Sequence, residues 1–245
     1  MIRSILIFIQ LFVLGLVACS PNRLEVDRIN AGENELDITF LGHATLMFSY
    51  NDQVIHVDPV LRFTDFTQLP KADIILITHF HGDHLDSTAI ARLTKQGTQI
   101  ICPQDCADLL HTGTVLLNGD TVTVNDITII AVPAYNVIHK RDTGEYYHPR
   151  GVGNGYVLTF GTQRVYIGGD TENIPEMANF GRIDIAFLPM NLPYTMTPEM
   201  VVEATKMVQP KILYPYHYGE TDPNRLVKLM KEALPQVEVR IRQLQ

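Results

Sequence analysis

Asp73-Ile-Ile-Leu-Ile-Thr-His-Phe-His-Gly-Asp-His-Leu-Asp86 is the stretch on which the reading of this chain turns. Ile74, Ile75, Leu76 and Ile77 form an apolar, mostly β-branched run that reads as a buried strand. The run stops abruptly at His79, His81, Asp83 and His84. Three imidazoles and a carboxylate at the carboxyl end of a strand are costly to keep there for stability alone. Together their lone pairs suit a borderline divalent metal, and Gly82 lets the turn gather them. A lone histidine would read as part of a solvated loop. His-x-His-x-Asp-His directly behind a buried strand predicts a metal site.

On the N-terminal side, short strands are expected at residues 36–41, 45–50 and 53–57, with Asn51-Asp52 as the hairpin turn and Asp58-Pro59 closing the unit. Residues 20–35 are polar and unpatterned and read as a tether. On the C-terminal side, Asp86 is placed to cap a helix with Ala89, Ile90 and Leu93 inward and Gly97 beyond its end. Strands follow at 99–102, 114–117, 121–124 and 127–132. A second half repeats the theme: a hairpin of 155–160 and 163–167 ends in Gly168-Gly169-Asp170-Thr171. An apolar strand follows at 184–189. Thr197 then caps a helix that turns Met200, Val201, Ala204 and Met207 to one side, with Pro198 first. A strand at 211–216 runs into His217, and a helix (224–234) and strand (237–241) close the chain. This pattern predicts an α/β fold of two sheets face to face with helices outside, its site at the strand ends.

The chain has 245 residues, a formal net charge of -8 and 46% hydrophobic residues, enough for one large α/β domain. No basic run tracks a phosphate backbone, so nucleic acid is not an expected partner. Residues 1–18 open with a short basic start and an apolar run too short to span a bilayer. Leu16-Val17-Ala18-Cys19 closes the segment and resembles the lipobox of bacterial lipoproteins. That resemblance implies a cleaved signal peptide (1–18), a lipidated Cys19, a tether (19–35), and a domain (36–245) anchored at the bacterial cell envelope. The alternatives are an ordinary signal peptide or an uncleaved anchor. Cys102 and Cys106 invite a disulfide in an exported protein. The reading favoured here is two reduced core thiols, with Pro103 at a helix start and Cys102, Cys106, Leu109 and Leu110 on one stripe.

Asp170 and His217 each follow a predicted strand and complete the constellation with a carboxylate able to bridge two ions and a further imidazole. At this point the chain resembles the metallo-β-lactamase-fold hydrolases, a four-layer αββα superfamily. Leu41-Gly42-His43-Ala44-Thr45, Val57-Asp58-Pro59, Gly169-Asp170-Thr171, Leu188-Pro189 and Tyr216-His217-Tyr218-Gly219 resemble the branch that includes L-ascorbate-6-phosphate lactonase-like proteins. N-acylphosphatidylethanolamine phospholipase D shares several of these motifs. The resemblance implies that His79 and His81 hold a first ion, Asp83, His84 and His217 a second, and that Asp170 bridges them, with Asp58 orienting ligands. It also places His43 near the site, as a substrate or oxyanion contact or as a packed structural histidine. The family's third first-ion histidine is missing: that place reads Tyr135-Asn136. Between the downstream histidines, His148 is the expected replacement and His139, beside Lys140 and Arg141, is not. If His148 is an ordinary loop residue, Asn136 or water completes the site.

The implied chemistry is metal-assisted hydrolysis of an ester, lactone or phosphodiester by two divalent ions, zinc favoured over manganese or iron, with Asp83 or Asp170 taking a proton. The alternative class is a non-catalytic metal- or ligand-binding lipoprotein. Basic residues Arg62, Lys140, Arg141 and Arg150 in the flanking loops hint at a small anionic substrate. The sequence carries no signal for oligomeric state.

Overall fold

Hairpins first and crossovers second is the order of connections in both halves of the chain, and it builds two sheets of the same plan. The computed structural model describes residues 24–244, so the expected leader and Cys19 lie outside the described residues. The first sheet runs in chain order through β1 (Glu25–Asn30), β2 (Glu35–Gly42), β3 (Thr45–Tyr50), β4 (Gln53–Val57), β5 (Ile74–Leu76), β6 (Gln99–Cys102) and β7 (Thr114–Val115). Its first four strands are antiparallel and the remainder parallel. The second sheet comprises β8 (Thr121–Val124), β9 (Ile127–Ala134), β10 (Gly153–Phe160), β11 (Gln163–Ile167), β12 (Ile185–Pro189), β13 (Ile212–Tyr216) and β14 (Glu238–Val239). It makes the same change from antiparallel to parallel at β11. The crossovers carry α1 (Ser87–Leu93), α2 (Gln104–Leu110), α3 (Pro198–Val208) and α4 (Pro223–Ala233). This is the two-sheet α/β fold expected from the sequence.

Local chemistry accounts for the joints. Asn51 and Asp52 both take positive φ (47° and 62°), which suits the tight turn between β3 and β4. Asp86 accepts hydrogen bonds from the Thr88 and Ala89 amides to start α1, and Thr197 accepts one from Met200 to start α3. The apolar run of β5 is buried on both faces. Ile74 and Leu76 enter the core between the sheets, whereas Ile75 and Ile77 pack outward with Ala89, Ile90 and Leu93 of α1. Between the sheets, Phe48 stacks on Phe160 at 5.6 Å and meets Phe187 edge-on at 5.9 Å. Each such ring, fully buried, contributes roughly 1.5–3 kcal/mol.

Three expectations need correction. Residues 20–35 are not all tether, because β1 pairs along its whole length with β2 and the domain begins before residue 36. The strand escaped notice because its half-buried side presents Glu25, Asp27 and Ile29, an acidic face whose partners lie at the other end of the chain. Arg242 makes a forked contact with Asp27 (2.7 Å to each carboxylate oxygen), Arg240 reaches it at 3.1 Å, and the Tyr214 hydroxyl donates to it. Cys102 ends β6 rather than joining a helical stripe, Pro103 caps α2, and Leu109 faces solvent. Both cysteines are free and buried, and burial pushes the Cys102 thiol up to about 11. The buried face of α3 is Val201, Val202, Ala204, Thr205 and Val208, with Met200 and Met207 only at its margin.

Asp27 therefore fastens the first strand to the last segment of the chain. Burial alone would raise its pKa, but Tyr214, Arg242 and Arg240 outweigh burial and hold it below the ordinary range. A lowered folded pKa stabilises above the unfolded value near 3.9, and the contribution is lost as pH falls through the folded pKa. Asp27→Asn is expected to lose about 1–3 kcal/mol at pH 7 in urea unfolding, with the deficit shrinking below about pH 4. An unchanged midpoint at pH 7 would remove the clasp from the account.

Candidate metal centre

Six strand connections, that of β9 to β10 with His148 among them, deliver their chemistry to one edge of the two sheets. The turn between β2 and β3 carries His43, and the end of β4 carries Asp58. The end of β5 leads to Thr78, His79, His81, Asp83 and His84. The ends of β11 and β13 lead to Asp170 and His217. Three of these residues, His43, Asp58 and His217, adopt left-handed φ of 54°, 44° and 48°. Left-handed backbone at non-glycine residues costs energy and is kept where the surroundings over-determine it. Gly169 (φ 62°) is required on two counts, since a Cβ there would lie 2.9 Å from the Asn154 carbonyl oxygen and 3.0 Å from Thr78.

The donor atoms fall into two groups, each compact enough to hold one ion. His79, His81, His148 and Asp170 form one, and His43, Asp83, His84 and His217 the other. Asp170 lies between them. Its Oδ2 is 3.1 Å from His148 Nε2 and 3.9 Å from His79 Nε2, while its Oδ1 is 3.3 Å from His84 Nε2 and 3.4 Å from His217 Nε2. His81 Nδ1 stands 3.0 Å from His79 Nε2 and 3.2 Å from His148 Nε2. Asp83 Oδ2 lies 3.4 Å from His217 Nε2 and 3.2 Å from His43 Nε2. Tetrahedral ligands at about 2.0–2.1 Å from an ion sit roughly 3.3 Å from one another, close to most of these separations. His84 Nε2, Asp170 Oδ1 and both ring nitrogens of His217 are buried and aligned for no hydrogen bond. Buried polar atoms without partners are costly, and donor atoms converging at these separations fit cations.

The charge balance agrees. Burial lowers His79 strongly and His81 to about 4, so both rings present free lone pairs near neutrality. Burial would raise Asp170, but the facing His217, His84 and His148 hold it well below the carboxylate range. Asp83 is likewise pulled down against burial by His217 and His43. Burial would lower His84, yet Asp170 and Asp58 hold it well above the ordinary imidazole value. Asp58 is fully buried; it accepts from the Thr78 amide and hydroxyl (2.7 and 2.6 Å) and stands 2.8 Å from His84 Nδ1. That contact takes up Nδ1 and leaves Nε2 to face the site.

His43 stacks on Phe63 with 4.5 Å between ring centroids, its Nε2 toward Asp83. His139 is drawn away from the centre: its Nδ1 meets Glu172 Oε1 at 2.6 Å. Asn136 stands beside the centre rather than in it. Its Oδ1 accepts from the His148 amide (2.9 Å) and faces His148 Nδ1 (2.7 Å), so that Nε2 points at Asp170 and His81. Asn136 Nδ2 in turn donates to Glu172 Oε1 (3.0 Å) and to the Tyr194 carbonyl (2.9 Å). Glu172 was not singled out in the sequence. It is fully buried and also accepts from the amides of Val137, Ile138 and His139 at 2.6–2.8 Å. Its nearness to Asp170 was the available signal, but a carboxylate five residues past a strand end is ordinarily a turn residue.

Comparison with known proteins agrees with this picture. Residues 37–217 match the family described as "Beta-lactamase superfamily domain". A UPF0173 metal-dependent hydrolase of Archaeoglobus fulgidus is 32% identical over 221 residues, covering 83% of this chain and 94% of that protein. A crystal structure of a Parabacteroides distasonis protein assigned as a metal-dependent hydrolase superposes with a TM-score of 0.86 at 50% identity, over 91% of this chain and 100% of that one. The metallo hydrolase Igni18 of Ignicoccus hospitalis shares the fold, with a TM-score of 0.71 at 24% identity over 85% and 95% of the two chains.

Asn136 sets the tautomer of His148 from outside the donor groups. Asn136→Leu, with no acceptor for Nδ1–H, is expected to weaken metal binding at the His148 group by roughly 10–100-fold. Competition with a chromogenic chelator measures it, and an unchanged affinity would show that His148 needs no such partner.

Proposed function

The chain belongs to the β-lactamase superfamily and, within it, to the UPF0173 metal-dependent hydrolases, and from that premise we propose that it is a dinuclear hydrolase acting on an ester, lactone or phosphodiester. The observation that carries the reading is the divided carboxylate of Asp170, one oxygen toward each donor group. When bound, two divalent ions supply Lewis acidity that activates water near neutral pH and polarises the bond under attack. Zinc suits the imidazole and carboxylate donors best, ahead of manganese or iron.

The chain's own residues supply the rest. Asp83 is the group to take the proton of the attacking water and pass it to the leaving oxygen, because its side chain keeps 32% of its exposure toward the cleft. Asp170, 4% exposed and enclosed by imidazoles, is fitted to hold rather than to shuttle. His43, fixed by Phe63 on one side and Asp83 on the other, is poised to use its one N–H either to steady Asp83 or to meet charge developing on the substrate. An open cleft of about 390 Å³ reaches both donor groups and gives a small substrate room, which favours the enzyme over a closed binding protein. The lactone and phosphodiester choices follow the resemblance of the strand-end motifs. A lactam has the least support, since the superfamily name denotes a fold.

The test is a screen of the metal-loaded protein against phosphodiester, lactone, ester and lactam substrates, with Asp170→Ala alongside. Turnover of one of the first three is expected, with Asp170→Ala losing metal and more than about a hundredfold in rate. Full turnover by Asp170→Ala would sink the mechanism.

For location, we propose attachment to the bacterial envelope through a lipidated Cys19, supported by the lipobox-like Leu16-Val17-Ala18-Cys19. Acyl chains contribute roughly 0.8 kcal/mol of membrane affinity per buried methylene, so a multiply acylated cysteine anchors stably. Labelled fatty acid should enter the native protein and not Cys19→Ala; no label in either leaves a secreted enzyme.

A further inference from the structure

The connection between β9 and β10 overhangs the cleft and is tied down at its root. Glu172 gathers the amides of residues 137–139 there, and Asn136 holds His148. Its outer part doubles back as a small hairpin, with a bridge between Lys140 and Tyr146 and a bond from the Arg141 amide to the Glu145 carbonyl at 2.7 Å. Arg141 emerges from this hairpin over Tyr147, its guanidinium carbon 4.8 Å from the ring centroid. Among the described residues Arg141 has no carboxylate partner. Arg28, Arg150, Arg182, Arg225, Arg240 and Arg242 each have one within 3.2 Å, whereas Arg62, Arg92 and Arg164 share the condition of Arg141 but do not line the cleft. Arg141 also lines the cleft of about 390 Å³ that contains His81, Asp83, His148, Asp170 and His217. Tyr147 and Tyr194, edge to face at 5.1 Å, line the same cleft.

Resting on the hydrolase reading above, we infer that Arg141 is a specificity residue that binds an oxyanion of the substrate, carboxylate or phosphate, remote from the bond being cleaved. A stacked guanidinium is a planar fork held ready, so it loses little freedom on binding an oxyanion and can do so through two hydrogen bonds. The tyrosine pair beside it offers flat apolar surface to the carbon skeleton between the anion and the reacting bond. The cleft volume restricts that skeleton to a compact molecule. The substrate class is thus a small acid whose ester, lactone or phosphodiester bond lies a few atoms from a free carboxylate or phosphate.

Calorimetric titration of the metal-loaded protein reads this without turnover. Butyrate offers one carboxylate, which the ions can take. Glutarate adds a second anion at the far end, and 3-phosphonopropionate replaces that anion with a phosphonate. The wild-type protein should bind one of the two dianions at least about tenfold more tightly than butyrate, in line with a charge-assisted bond. The tighter dianion identifies the anion type. Arg141→Ala should erase the difference at unchanged metal content. Arg141→Gln, which keeps length and hydrogen-bonding capacity without charge, should erase it too and guards against local collapse in the alanine variant. Equal affinities in the wild type, or a preference that survives both variants, would overturn the assignment. A protein that hydrolyses nothing yet shows the Arg141-dependent preference would count against the hydrolase reading and still support the anion site.

Discussion

One buried carboxylate sets the terms for the rest of this molecule. Asp170 is buried and faces five imidazoles across two donor groups, with no lysine or arginine paired to it among the described residues. An ionised group in such a place is tolerated only if compensating charge is brought to it. Imidazolium can supply that in part, and Asp170 and Asp58 push His84 in that direction. Yet burial drives His79 and His81 the other way, toward the neutral form, so protons alone cannot balance the cluster. Divalent cations resolve the conflict in one step: they neutralise the carboxylates and use the neutral lone pairs.

That demand explains why the fold is arranged as it is. Donors from β5, β11 and β13 can meet only if both sheets present the ends of these strands at one edge, and the repeated plan of hairpin followed by parallel crossover does so twice. The price is local strain. His43, Asp58 and His217 sit in left-handed backbone, and all three lie directly after a strand. The stability that holds them there comes from elsewhere, chiefly from the aromatic layer of Phe48, Phe160 and Phe187 between the sheets and from the Asp27 clasp.

The same physics separates what could be read in the chain from what could not. The ladder of β5 and the histidines behind it were plain because a buried strand and a donor cluster both leave local signatures. The helix caps at Asp86 and Thr197 were plain for the same reason. β1 was not, since its inward Asp27 is intelligible only beside Arg240 and Arg242, more than 200 residues on. The companions of His148 were hidden likewise. His148 itself stood out as one of two histidines near an apparent gap, and it lies in the donor group with His79 and His81. Nothing local marks Asn136 as its acceptor or Glu172 as the acceptor of three consecutive amides. Long-range polar contacts leave no period in a sequence.

Asn136 also shows how a residue beside the centre supports a donor further along the chain. A side chain at that position lies beside the site, and an imidazole there would compete for space and lone pairs with His148. Here the position carries an amide that reaches His148 through Oδ1 and is itself held by Glu172 and the Tyr194 carbonyl. An amide has both donor and acceptor, so it can face a carboxylate on one side and an N–H on the other; an ionised aspartate or a leucine could not satisfy both. The consequence is that the loop of residues 137–147 lies between the position beside the centre and the donor. It is this loop that carries Arg141 and Tyr147 to the cleft. Supplying the donor from His148 therefore binds the placement of the cleft wall to the integrity of the metal centre, since one set of hydrogen bonds from Glu172 and Asn136 fixes both.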